Sequence, residues 1–191
     1  MCALLRLVAA CLLLLPVIGG AATPQAVKAR LLDTLHQGES ETQEQFLIRT
    51  AMRVRARTQE TGAEVCGSFC AQPGGNQAIM LFTSDSTVSC RVLRGCPLGD
   101  YMPAGTDIHS HPANWKMTLS EAEATRMNQG RRMFKKKGGD AMRFSPRRFS
   151  KDDYSFGPGY LVYDDELWHQ AGKGTERILW TLPEELSPAS P

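Results

Sequence analysis

Asp107-Ile108-His109-Ser110-His111-Pro112 is the stretch from which the rest of the chain can be ordered. Thr106 to Ser110 reads as a strand, and Pro112, with no N–H to offer a neighbour, prevents further pairing. Strand alternation then puts the rings of His109 and His111 on one face at the strand's end, where two nitrogens reach one ion. A single histidine is usually a hydrogen-bonded structural residue. Two of them flanking one serine and followed by proline favour a metal.

A catalytic zinc takes three protein ligands and keeps a fourth position for water. Phe149-Ser150-Lys151-Asp152-Asp153 supplies a carboxylate in Asp153, and the Ser150 hydroxyl can donate to an oxyanion. Upstream, Glu64 stands at the beginning of a strand and suits the general base that takes a proton from water. Alone it would read as an ordinary strand-end glutamate; the company of His109 and His111 changes that reading.

Glu64, His109-Ser110-His111-Pro112 and Ser150-Lys151-Asp152-Asp153, in this order, resemble the pattern of the JAB1/MPN/Mov34 (JAMM) zinc metallopeptidases. Gly157-Pro158-Gly159-Tyr160-Leu161-Val162-Tyr163 also resembles the glycine-led strand that follows the ligand aspartate in bacterial members. The resemblance covers residues 45–182. It implies one zinc per chain on His109, His111 and Asp153, with Glu64 as general base and Ser150 as oxyanion stabiliser. It also implies an α/β single domain, a central mixed sheet flanked by helices in the cytidine-deaminase-like layering.

In the family's pattern about seven residues separate the second histidine from the serine; here Pro112 to Phe149 intervene. A rival acid lies closer, in Ser120-Glu121-Ala122-Glu123. That pair has a structural explanation as a capping box at the start of a helix running from about Ser120 to Lys137, so Asp153 is preferred to Glu123. The insertion, 113–149, is basic, with Lys135-Lys136-Lys137 among its cations. Lid, docking surface for an acidic partner and flexible loop all remain open readings of it.

Residues 1–22 read as a signal peptide: Arg6, an apolar run from Leu7 to Ile18, then Gly20-Ala21-Ala22 before Thr23. An uncleaved anchor and lipidation at Cys11 are the lesser readings. Removing the leader lowers the formal net charge of +2 by one, which says nothing about a nucleic-acid partner. What remains suffices for one domain with a real core. Cys66, Cys70, Cys90 and Cys96 suggest two disulfides in an oxidising compartment, periplasmic or secreted. Cys66 and Cys70 share a strand face, so each pairs better with the Cys90 to Cys96 segment than with the other. A four-cysteine zinc site is the alternative, poorly matched in spacing.

The organisation along the chain follows from periodicity. Residues 23–44 read as an N-terminal helical segment, with a short helix from Thr23 to His36 on the spacing of Val27, Leu31, Leu32 and Leu35. A second helix, Ser40 to Arg57, opens with a Ser40–Gln43 box and turns Leu47, Ile48, Ala51, Met52 and Val54 inward. Its arginines, Arg49, Arg53, Arg55 and Arg57, suit a solvated face better than a polyanion surface. Strands are expected at Glu64 to Ala71, Ala78 to Thr83, Val88 to Leu93, Gly159 to Tyr163, Glu166 to Gln170 and Arg177 to Leu182. His36 and His169 read as surface residues, Trp168 and Trp180 as core or sheet-face aromatics, and 183–191 as a flexible tail.

The expected function is an exported zinc metallopeptidase that hydrolyses a peptide or isopeptide amide. The JAMM resemblance implies such bonds, including those to ubiquitin or small sulfur-carrier proteins. A leader points instead to an envelope protein, a secreted protein or a peptidoglycan peptide. The rivals are a non-catalytic binding module on the same fold and a zinc-dependent nuclease, although no nucleic-acid partner is expected.

Overall fold

The computed structural model describes residues 29–84, 86, 89–90, 95–113, 116–128, 135–143 and 147–184. In chain order they form β1 (Arg30–His36), α1 (Gln43–Thr61), β2 (Val65–Ala71), β3 (Gln77–Thr83), β4 (Met102–His111), β5 (Lys116–Thr118), α2 (Glu121–Met127), β6 (Ala141–Arg143), α3 (Lys151–Phe156), β7 (Gly159–Tyr163), β8 (Glu166–Gln170) and β9 (Arg177–Thr181). One sheet runs β1-β3-β2-β4-β7-β8-β9, and β5 pairs with β6 apart from it. Its strands are antiparallel except for β4 and β7, which are parallel. A parallel pair needs a long crossover, and the chain between 112 and 158 supplies it. The expected α/β domain with a mixed sheet is therefore present.

The two faces of the sheet have different tasks. Val65, Phe69, Ile79, Leu81, Ile108, Val162 and Leu167 point to one side and pack on Phe46, Leu47, Ala51 and Val54 of α1. Each of these side chains larger than alanine stabilises the fold by roughly 1.5–3 kcal/mol on burial. Alternation sends Cys66, Asp107, His109 and His111 to the other side. There Cys66 is bonded to Cys90 and Cys70 to Cys96, the cross-segment pairing expected, which removes the four-cysteine zinc site. Two disulfides fit an oxidising compartment, and no described helix is long and apolar enough to cross a membrane.

Several expectations fail, each for a local reason. The segment Arg30–His36 is a strand rather than the end of a helix, antiparallel to β3. An irregularity between Leu31 and Asp33 lets Leu32 and Leu35 both reach the core, so a bulged strand reproduces a helix-like spacing. The expected 23–44 helical segment is thus, over its described part, an edge strand of the main sheet at Arg30–His36 followed by a turn into the start of α1. Helix α1 starts at a different box: Thr42 is the N-cap, exchanging bonds with Gln45, and Gly62 ends it in the left-handed region. Helix α2 stops at Met127, and Lys135 to Lys137 are not helical. Ser89 and Cys90 are not in a strand; Val88 and 91–94 lie outside the described residues, as do the signal peptide and all of the tail after Glu184. His169 sits in β8, half-buried against Tyr160, rather than on the surface.

The α1 arginines form clamps instead of a merely solvated face. Arg53 and Arg57 both grip Asp33 of β1, Arg49 grips Glu41 and the His36 carbonyl, and Arg55 donates to the carbonyls of Leu182, Pro183 and Glu184. Two guanidinium groups hold the Asp33 carboxyl down at about 2, the Arg57 hydrogen bond first among the causes and burial opposing. A depressed carboxyl stabilises the fold above its ordinary value of about 3.8 and loses that contribution as pH falls through about 2. Asp33→Asn is therefore expected to lower the melting temperature at pH 7 by roughly 2–4 °C and to flatten its decline between pH 4 and pH 2. Parallel thermal melts of the two proteins check this, and identical pH curves would rule out the clamp.

Candidate metal centre

The centre is built at the end of β4. His109 lies opposite Cys66 of β2 on one side and opposite Leu161 of β7 on the other, so its strand is central in the sheet. Ser110, between the histidines, faces the α1 side and is buried. Its hydroxyl accepts from the Val65 N–H at 3.0 Å and shares a hydrogen bond with the Thr58 hydroxyl of α1. This peg ties β4, β2 and α1 together and leaves the flanking rings to the opposite face. The imidazoles stand 5.1 Å apart between centroids, tilted by 55°.

Asp153 arrives from α3, a helix that periodicity did not announce. Ser150 is its N-cap: the Ser150 hydroxyl accepts from the Asp153 N–H at 3.3 Å, and the Asp153 carboxylate accepts from the Ser150 N–H. The same carboxylate lies 3.6 Å from His109 Nε2. Ligand atoms of His109, His111 and Asp153 all fall within 4.8 Å of one another, so this group could hold a metal ion. The fit has independent support: His109 Nε2 is buried and has no hydrogen-bond partner among the described residues. An orphaned buried nitrogen costs about 1–3 kcal/mol, a cost that a bound cation removes. Burial also drives the His109 imidazole well below its ordinary pKa, against the pull of Asp153 and with the His111 ring adding to the fall. A neutral ring is the form that binds metal.

Glu64 completes the arrangement. Its backbone is fixed on both sides, N–H to the Ser86 carbonyl at 2.8 Å and carbonyl to the Thr83 hydroxyl at 2.9 Å. Its carboxylate reaches to 4.0 Å from His111 Nε2. Ser150 is exposed, and a hydroxyl that accepts one bond keeps its own proton to donate. All five residues singled out in the sequence, Glu64, His109, His111, Ser150 and Asp153, thus gather at one end of the sheet.

Glu123 does not join them. It is buried, and its carboxylate accepts from the Ser86 hydroxyl at 3.0 Å and from the Ser120 N–H and hydroxyl at 2.8 and 2.9 Å. The Ser120 hydroxyl in turn accepts from the Glu123 N–H, completing the capping box expected there. The insertion nevertheless contributes directly, because Phe149 at its end is buried edge-on against the His109 ring, 6.0 Å between centroids. Neither Phe149 nor Asp107 stands out in the sequence as part of the site. Asp107 carries a signal that could have revealed it, since it precedes His109 by two residues and so shares its face. Its carboxyl is pushed up to about 6, by burial first and then by the charge of Asp153.

No protein-family model matches the chain, and neither a curated protein nor a solved structure does.

Two carboxylates at the fourth position of a Ser-x-x-acid pair thus have separable tasks. Asp153→Ala is expected to weaken zinc binding by at least about a hundredfold, whereas Glu123→Ala keeps the affinity and loses about 1–3 kcal/mol of stability through its stranded donors. Competition with a chromophoric chelator, combined with denaturant melts, reads both. Zinc lost from Glu123→Ala and kept by Asp153→Ala would reverse the ligand assignment.

Proposed function

We propose that the protein is an exported zinc metallopeptidase hydrolysing a peptide or isopeptide amide, with the JAMM assignment of residues and the cytidine-deaminase-like layering that goes with it. The observation that carries this reading is the convergence of His109, His111 and Asp153 with Glu64 beside them, around a histidine nitrogen that has no hydrogen-bond partner among the described residues. Two imidazoles and one carboxylate suit zinc and leave a position open, which distinguishes a catalytic set from a structural one. A zinc ion there would supply Lewis acidity and lower the pKa of a water at neutral pH.

The chain's own groups account for the proton movements. Glu64 receives a proton at its carboxylate from the attacking water and returns it to the departing amine nitrogen. Ser150 donates a hydrogen bond from its hydroxyl, keeping the proton, to the carbonyl oxygen as negative charge develops there. His109, held by Phe149 and buried, keeps its ring neutral and its orientation fixed. The two disulfides favour substrates met outside the cytosol, namely an envelope protein, a secreted protein or a peptidoglycan peptide.

Glu64→Gln removes a base and no ligand. The variant is expected to retain one zinc per chain while peptide turnover falls by about 10²–10⁴, measured by mass spectrometry of a peptide library before and after incubation. A wild-type protein that holds zinc and cuts nothing would point to a binding module on this fold; Glu64→Gln as active as wild type would exclude Glu64 as base.

A further inference from the structure

We propose that Asp107 is the floor of a substrate subsite beside the metal centre, selective for a lysine or arginine side chain flanking the cleaved amide. The inference rests on the metallopeptidase reading and names the substrate class of that same site. Three observations carry it.

The first is position. Asp107, His109 and His111 alternate along β4 and project to one face, so the Asp107 carboxylate stands one side-chain repeat, about 7 Å, from the first histidine. That spacing suits a residue adjoining the scissile bond, whose carbonyl must lie at the histidines.

The second is the space. A groove of about 240 Å³ opens at Asp107, lined by Ser68, Phe69, Pro103, Thr106 and the half-exposed ring of Phe156. It exists because the β2–β4 ladder shifts register between Ser68 and Cys70, where Gly105 takes a φ of +73°. Two strands that paired evenly here would close it. Across the sheet, Gly159 makes room for the carboxylate itself: a Cβ there would collide with Asp107 Oδ1. An alanine at 159 would push the acid out of its seat.

The third is the chemistry of the walls. Phe156 and Pro103 offer apolar surface, Asp107 is the one formal charge among the lining residues, and among the described residues no Lys or Arg forms an ion pair with it. An apolar passage ending in an uncompensated carboxylate suits a side chain with a hydrocarbon stem and a cationic head. An apolar or acidic side chain would leave the half-buried carboxylate without a cationic partner.

The test uses the oxidised, exported protein loaded with zinc and two probes of one shape that differ in charge, Nα-acetyl-arginine amide and Nα-acetyl-citrulline amide. Followed by heteronuclear NMR, the arginine probe is expected to shift the Thr106 and Asp107 resonances and to bind at least about tenfold more tightly than its neutral twin. Asp107→Asn is expected to keep its zinc and to bind both probes alike. Equal binding of the two probes by wild type overturns the subsite without reference to any variant, and so does a difference that survives Asp107→Asn. The same proteins are then given a peptide library. Lysine or arginine enriched beside the cuts, and no longer enriched with Asp107→Asn, supports the proposal. Cuts without basic preference overturn it and leave the peptidase reading standing. Selective probe binding by a wild-type protein that cuts nothing supports the cation pocket and overturns the peptidase reading instead.

Discussion

Strand alternation at the end of β4 is the constraint on which the site depends. A period of two residues obliges Ser110 to face α1 if His109 and His111 are to face away from it. The Ser110 hydroxyl makes that choice firm by bonding to Val65 and to Thr58, one on the neighbouring strand and one on the helix behind. A slip of one residue would bury two imidazoles in the apolar core and send the hydroxyl to the other face. Pro112 then ends the strand at the point where both rings can reach a common ion.

Asp153 is brought to the histidines by a different device, the N-terminus of a short helix. Its carboxylate caps α3 with Ser150 and in the same position approaches His109. The capping box thus orients the acid, much as outer hydrogen bonds orient metal-binding carboxylates generally. Glu123 makes the equivalent bonds on α2, yet it is spent on Ser86 and Ser120 and stays out of the cluster. The same four-residue pattern therefore has one purely structural use and one in which structure and ligation coincide.

Much of this could be read from residues alone, and the misses have physical causes. The pairing of Cys66 and Cys70 with separate cysteines of the following segment came from their sharing a strand face, and the β7–β9 meander came from its turn residues. β1 was obscured because a bulge gives leucines a helical spacing, so that the expected helix and the actual strand share one pattern. The capping box at Ser150 is masked by its resemblance to a catalytic pair, although it has the same Ser-x-x-acid form as the box at Ser120. Phe149 could not be placed, because only the fold of the insertion brings it against His109. Asp107 was legible from spacing alone, while the groove beside it depends on a register shift that no local pattern announces.

The most direct measurement is the metal content of the oxidised, folded protein, purified without chelator, by elemental analysis beside His109→Ala. Convergence of His109, His111 and Asp153 on one ion predicts one zinc per wild-type chain and none in the variant. A folded wild-type protein without metal, or a variant that retains it, would contradict the account at its centre.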